Sequence, residues 1–266
     1  MNWNPRRWPK FARNTRNGNE QLLKQLDKYS ESICISGCQR SGGTMLADAF
    51  CQHPDIVDFT WTDDAELDAA KILSGAVDRE INTGVEASRF CFQTTYLNER
   101  YVEYADHIDS SYLIWLIRNP YSVVYSMLYN WSRFALNEVF TSCGLPNADR
   151  EVQEKYQRLG IWGISRLERA CYAYVGKSKQ CLELANTLPS NRYLIVEYDS
   201  LVASQAETMS QLMKFTNLCS STKLESKINT NSLNKAQRLK DSERETIHRI
   251  CDASYKATRK LLTPAA

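Results

Sequence analysis

Three short, nearly continuous apolar runs punctuate the chain: Ser32-Ile33-Cys34-Ile35-Ser36, Tyr112-Leu113-Ile114-Trp115-Leu116-Ile117 and Tyr193-Leu194-Ile195-Val196. Continuous rather than alternating hydrophobicity is the pattern of a strand covered on both faces, as in a parallel sheet. A weaker run, Ile56-Val57-Asp58-Phe59, predicts a fourth strand. Between these runs the apolar positions recur at helical spacing. One helix is predicted to begin at Thr44, and a second to run from about Tyr121 to Val139. A third spans about Gln153 to Asn186 with a break near Gly160 or Gly163. A last helix runs from Ser242 to Leu261, with Ile247, Ile250, Cys251, Ala253 and Tyr255 on its inner side. Strands alternating with helices predict an α/β domain with three layers, α/β/α, around a mostly parallel sheet. Residues 217–240 are polar, rich in Asn and Ser, and read as a long loop. Neither an internal repeat nor a Pro/Gly linker divides the chain, so the organisation expected is a basic arm over 1–20 and one domain over 21–266.

Composition narrows the class. With 266 residues, 43% apolar and 24% charged, the chain is globular, and collagenous, low-complexity and disordered classes are excluded. A net charge of +2 argues against a nucleic-acid partner. The charge is unevenly spread. The first sixteen residues carry Arg6, Arg7, Lys10, Arg13 and Arg16 without an acid, leaving 28 basic against 31 acidic residues in the remainder. Nine cysteines without any C-x-x-C pair read as reduced, buried thiols of a cytoplasmic protein rather than as disulfides or a zinc site. The N-terminus has no apolar stretch of the secretory kind, and the apolar runs fall far short of the roughly 20 residues of a membrane span.

The chemistry is concentrated where the first strand ends. Gly37-Cys38-Gln39-Arg40-Ser41-Gly42-Gly43-Thr44 leads straight into the helix Met45-Leu46-Ala47. Strand, glycine-rich turn and helix N-terminus together cradle phosphate, because free backbone N–H groups and the positive end of the helix dipole converge on the anion. The spacing is that of the P-loop, G-x-x-x-x-G-K-S/T, except that Gly43 stands where the lysine should be. Triphosphate chemistry wants that lysine and an acid for magnesium. Here the loop's cation is Arg40, three residues earlier, and the second strand ends in Ile117-Arg118, a base where an acid would be wanted. A nucleotide or metabolite kinase is therefore the weaker enzyme alternative, and a catalytically silent nucleotide-binding protein is the non-enzyme one.

After the second strand the chain reads Arg118-Asn119-Pro120-Tyr121-Ser122, with Ser126 eight residues beyond the arginine. A forked guanidinium at the strand tip and a hydroxyl two turns into a Pro-initiated helix suit one compact anion. Together these two motifs resemble those of the sulfotransferases that use 3′-phosphoadenosine 5′-phosphosulfate, and are closer to the bacterial and tyrosylprotein-type branches than to the animal cytosolic type. That family's donor loop reads R/K-S/T-G-T-S/T-x-L, against Arg40-Ser41-Gly42-Gly43-Thr44-Met45-Leu46 here. Its 3′-phosphate motif is R-N/D-P with a later serine. A strand running into Y-E-D-L is matched by Tyr198-Asp199-Ser200-Leu201, and His53-Pro54-Asp55 follows the first helix.

The resemblance implies that Arg40 neutralises the bridging oxygen of the phosphosulfate. Ser41, Gly42, Gly43 and Thr44 would bind the 5′-phosphate, Thr44 beside the reacting group. Arg118 and Ser126 would bind the 3′-phosphate, and Met45 and Tyr198 would lie near the adenine. Family members often carry an aromatic residue at the place of Met45 and a threonine at that of Gly43. An R-K-G segment found in animal members is missing here, and Lys235 and Arg238 are its candidate replacements. The product would be adenosine 3′,5′-bisphosphate, and no metal is required.

The acceptor side is expected to take a small molecule through a hydroxyl, amino or carbamoyl group. In-line transfer draws on positioning and charge stabilisation, helped by a base. The cytosolic branch uses a histidine where this chain has Tyr96, and neutral tyrosine is a poor base at pH 7. The tyrosylprotein-type branch uses a carboxylate after its H-P-D stretch, which points to Asp63, Asp64 or Glu66, with Asp64 first and Glu66 next. Asp63 or Asp64 also suits a helix cap. This acidic group equally suits a cationic acceptor, such as a guanidinium alkaloid of the saxitoxin type. Of the aromatics after Pro120, Trp131 and Phe134 are the candidates to line the acceptor pocket. His107 reads as a surface or loop residue, His53 as structural, and His248 lies on the last helix.

Overall fold

The computed structural model describes residues 21–60, 64–76, 89–219 and 230–262, with the backbone alone for 230–233. The basic arm over 1–20 lies outside the described residues. Five parallel strands pair into one sheet: β1 (Ser32–Gly37), β2 (Ile56–Val57), β3 (Arg89–Gln93), β4 (Ser111–Ile117) and β5 (Tyr193–Glu197). Their order is β2-β3-β1-β4-β5. The three strong runs became β1, β4 and β5, fully or largely buried as continuous hydrophobicity requires.

β3 is the strand the pattern did not announce. Only Phe90, Cys91 and Phe92 are apolar there, between Arg89 and Gln93. Its strand state comes from its neighbours, with Ile33 opposite Cys91 and Ile56 opposite Arg89. The predicted fourth strand shortens to Ile56–Val57 at the sheet edge.

Alternation along the strands divides the core. Cys34, Phe92, Leu113 and Trp115 face α2 (Ala65–Leu73) and α7 (Arg166–Thr187). Ile33, Ile35, Ile114 and Leu116 face α1 (Gly43–Phe50) and, after the short α8 (Tyr198–Ala203), α9 (Gln205–Phe215). The three-layer expectation holds.

The helix predicted over Tyr121–Val139 is two, α4 (Pro120–Tyr129) and α5 (Arg133–Val139). Ser132 breaks the run because its hydroxyl accepts from the Phe134 and Ala135 amides as an N-cap. The break near Gly160 is present. α6 (Arg150–Leu159) ends there at φ +61°, and α7 starts afresh behind a Ser165–Glu168 capping box. The last helix, α10 (Asp241–Arg259), packs with α4 and α7 around Val123, Cys171 and Ile247.

Two further expectations are corrected. The loop over 217–240 contains a 3₁₀ segment, Thr230–Arg238, that packs on α4, while residues 220–229 lie outside the described part. His107 is buried rather than on the surface, because it ends a short helix, α3 (Tyr104–His107), and its Nδ1 lies 2.9 Å from Asp27 Oδ2. His53 is structural as read, packed inside with its Nε2 3.1 Å from the Cys219 carbonyl. All nine cysteines are free thiols. Among the described residues no helix is long and apolar enough to cross a membrane.

Candidate active site

Parallel pairing puts every strand's carboxyl end on one edge of the sheet. Gly37 lies opposite Leu116, Gln93 opposite Ile35, and Glu197 opposite Ile117. The residues that follow those tips therefore meet, although they are far apart in sequence. They are Arg40 after β1, Thr94 and Thr95 after β3, Arg118 after β4 and Tyr198 after β5. This carboxyl edge is where open α/β sheets place their ligands.

The loop after β1 is shaped by positive φ angles at Gly37 (135°), Arg40 (74°) and Gly42 (102°). Both glycines are dictated by contact as well as by conformation. A β-carbon on Gly37 would sit 2.3 Å from the Leu116 carbonyl oxygen, and one on Gly42 would sit 2.3 Å from the Tyr198 ring. Gly42→Ala should therefore strain the loop by about 2 kcal/mol and lower the melting temperature by roughly 5 °C. Thermal unfolding checks this. Gly42 caps α1 without a side-chain hydrogen bond, and the buried Ser41 Oγ has no hydrogen-bond partner among the described residues. Both features leave donors at this loop for an anion.

Three cations close around the loop. Arg40 Nε donates to Ser126 Oγ at 3.1 Å, joining the two motifs that the sequence placed 86 residues apart. Arg118 is 3% exposed, with its guanidinium 4.0 Å from the centre of the Tyr198 ring and its Nε 3.8 Å from Asp199 Oδ1. Its backbone carbonyl accepts from the Tyr174 hydroxyl at 2.9 Å. Burial lowers the pKa of both arginines. Lys235, on the 3₁₀ segment, is pushed down by burial and then by the nearby charges of Arg118, Arg40 and Arg238. Gathering like charges at a half-buried edge is costly unless an anion binds among them, so these residues fit a phosphate-bearing donor. Arg238 itself is exposed.

Asn119 is a supporting residue the sequence left without a role. Its Oδ1 accepts from the Ser122 amide to cap α4, and its Nδ2 donates to Asp199 at 2.6 Å. The Arg118-Asn119-Pro120 turn is thereby bolted to the Tyr198-Asp199 turn. Tyr198 is buried against Gly42 and Arg118, where it shapes the loop. Met45, in the first turn of α1, is partly buried and packs on the core.

The candidate carboxylates differ in their surroundings. Asp64 is the N-cap of α2 and accepts from the Leu67 amide at 3.1 Å. Asp63 lies outside the described residues. Glu66, in the first turn of α2, accepts a hydrogen bond from the Thr95 hydroxyl and lies within electrostatic reach of Arg40. Burial, reinforced by the charges of Asp64 and Glu138, pushes Glu66 up to about 7 even though Thr95 and Lys177 pull it down. A carboxyl poised near neutrality beside a phosphate loop is suited to proton transfer. Thr44 Oγ1 donates to Gln93 Oε1 at 3.0 Å, so the loop is also tied to β3.

Of the residues expected near the acceptor, Tyr96 packs against the core with its hydroxyl buried. Burial holds that hydroxyl well above its usual pKa, which removes it as a base. Trp131 is half-buried against the α4–α7 core, and its carbonyl accepts from Arg166 at 3.0 Å. Phe134 is 47% exposed and shares a face of α5 with Glu138, one turn on. Gln93, Thr95, Glu138 and Lys177 were not singled out in the sequence. No local motif marks them, and only β3 and the packing of α5 and α7 bring them here.

The family model of the sulfotransferase domain matches residues 30–260. No curated protein sequence matches the chain. A sulfotransferase from Alicyclobacillus acidocaldarius superposes with a TM-score of 0.54 at 13% identity, over 87% of this chain and 95% of that one. A sulfotransferase domain from the curacin biosynthetic pathway gives 0.47 at 12% identity, over 88% and 92%. A mouse sulfotransferase complexed with PAP gives 0.47 at 14%, over 91% and 94%. The first of these shows the shared fold, and the family match takes in all five strands, the Arg40 loop and the Arg118 turn. With that span matched, the chain belongs to the sulfotransferase domain family and is a sulfuryl-transferring enzyme.

Proposed function

We propose that the protein moves a sulfuryl group from 3′-phosphoadenosine 5′-phosphosulfate to a hydroxyl or amino group of a small molecule. The observation that carries the reading is the convergence of Arg40, Ser126, Arg118 and Lys235 at the strand tips. Two phosphate positions need two cation sets, and the cations gathered at this edge are in keeping with that need. Ser41, Gly42, Gly43 and Thr44 would hold the 5′-phosphate with the α1 N-terminus, and Arg118, Ser126 and Lys235 the 3′-phosphate, with Arg238 at the rim and Met45 toward the adenine. When bound, the donor supplies an activated sulfuryl group and a phosphate leaving group. Arg40 offers charge where the leaving oxygen becomes negative. Glu66 takes the acceptor's proton onto its carboxylate, and Thr95 keeps that carboxylate in place. Asp64, Glu66 and Glu138 together favour an acceptor that carries positive charge, of which a guanidinium alkaloid of the saxitoxin type is one example.

Calorimetry with adenosine 3′,5′-bisphosphate and with Mg-ATP tests the donor assignment. Micromolar binding of the bisphosphate without added magnesium is the expected result. Preference for Mg-ATP would overturn it in favour of a kinase.

A further inference from the structure

Lys177 is the cation whose position local chemistry does least to explain. It lies in the middle of α7, only 1% exposed. Its Nζ donates to the Thr95 carbonyl at 3.0 Å, and the same oxygen accepts from Gln39 Nε2 at 2.9 Å. The Thr95 hydroxyl in turn donates to the Glu66 carboxylate. One residue therefore carries the ammonium on its main chain and the carboxylate on its side chain. Gln180, one turn after Lys177, holds the same loop by donating to the Asn98 carbonyl at 2.7 Å. Burying an ammonium is costly where a methionine would pack without penalty. A buried lysine kept at that cost, beneath a reactive edge, calls for a use.

We propose that Lys177 is a positioning residue for sulfuryl transfer: its ammonium, acting through Thr95, orients the Glu66 carboxylate and stabilises its charged form. The inference rests on Glu66 being the base. The charged groups facing Glu66 are Asp64 on its own helix, Glu138 on α5, Arg40 from the loop after β1 and Lys177 on α7. The two carboxylates oppose ionisation and the two cations favour it. Lys177 itself faces Glu66, Glu99, Cys38 and Cys143. Both thiols are held protonated by burial, Cys143 at about 11 and Cys38 above the ordinary range, so they add no charge near pH 7. Glu66 is then one of two carboxylates the ammonium can serve, and the one bridged to it by Thr95.

The test is carbon NMR titration of the Glu66 side-chain carboxyl in glutamate-labelled protein, with Glu66→Gln identifying the resonance. Lys177→Met should move the Glu66 midpoint upward by about one pH unit, a tenfold fall in the ratio of charged to neutral carboxyl. Lys177→Arg should keep it within a few tenths. A midpoint unmoved in Lys177→Met overturns the proposal, since lost packing alone does not shift that titration in one direction. Should Lys177→Met not fold, Thr95→Val keeps the charge and breaks the relay. Its Glu66 midpoint must also rise, and an unmoved one is equally fatal. The titration does not depend on Glu66 being catalytic. If Glu66→Gln keeps wild-type turnover while the Lys177 shift is present, the base assignment fails and the coupling stands.

Discussion

Replacing Arg118 by alanine should weaken binding of adenosine 3′,5′-bisphosphate by about 100-fold, which corresponds to ~2.7 kcal/mol. The side chain is buried at a strand tip, stacked on Tyr198, and directed between the Arg40 carbonyl and Asp199. A cation so placed is already desolvated, so an anion meets it at close to full strength. Its loss also leaves Asp199 beside a void and removes the stack on Tyr198. Fold stability should therefore fall by about 2 kcal/mol together with affinity. Arg118→Lys should recover little of either, because an ammonium neither forks between two oxygens nor stacks as a plane. Calorimetry reads the first effect and denaturant unfolding the second. Retention of wild-type affinity in Arg118→Ala would remove this residue from the donor site.

Glu66→Gln should move activity and stability in opposite directions. Loss of the base should lower kcat by about 100- to 1000-fold, with the donor KM little changed. In the wild type, the rate should rise with pH through about 7, since the base must be ionised and burial holds Glu66 there. The variant should lose that limb. The stability effect follows from proton binding. The ordinary value for glutamate is 4.5, so between 4.5 and about 7 the folded protein holds a proton that the unfolded chain has released. Stability contributed by this group is complete below the lower value and is lost as pH rises through the upper one. Glutamine keeps the partner for Thr95 without the buried charge. Above pH 7 the variant should then melt higher than the wild type, by about 3 °C. A melting temperature that falls at pH 8, or a kcat that holds, would contradict the role given to Glu66.

The parts of this site that sequence reveals are those made by short segments. Arg40 to Met45 and Arg118 to Ser126 each combine a turn, a helix start and a cation within a dozen residues. Spacing alone carries their chemistry, because backbone amides and a helix dipole are local properties. Asn119 and Asp199 are equally close to those motifs, but their mutual hydrogen bond joins two strand tips. Sequence could show the residues and not the bond. The proposed base is the reverse case. Asp64 and Glu66 are two residues apart with the same chemistry, and capping Leu67 occupies one while Thr95 and burial single out the other. That choice depends on β3, whose three apolar residues were too few to declare a strand.

By itself, then, the sequence determined the α/β layering, the phosphate loop and the two arginines, since continuous apolar runs and glycine turns act over a few residues. The tertiary structure decided which residues surround Glu66. Pairing of β3 between β2 and β1 delivers Thr95, α7 delivers Lys177 and α5 delivers Glu138, from positions 29 to 111 residues away from Glu66. The physical reason is that a side chain's pKa is set by desolvation and by the charges around it. Those are properties of the packed edge rather than of any stretch of chain.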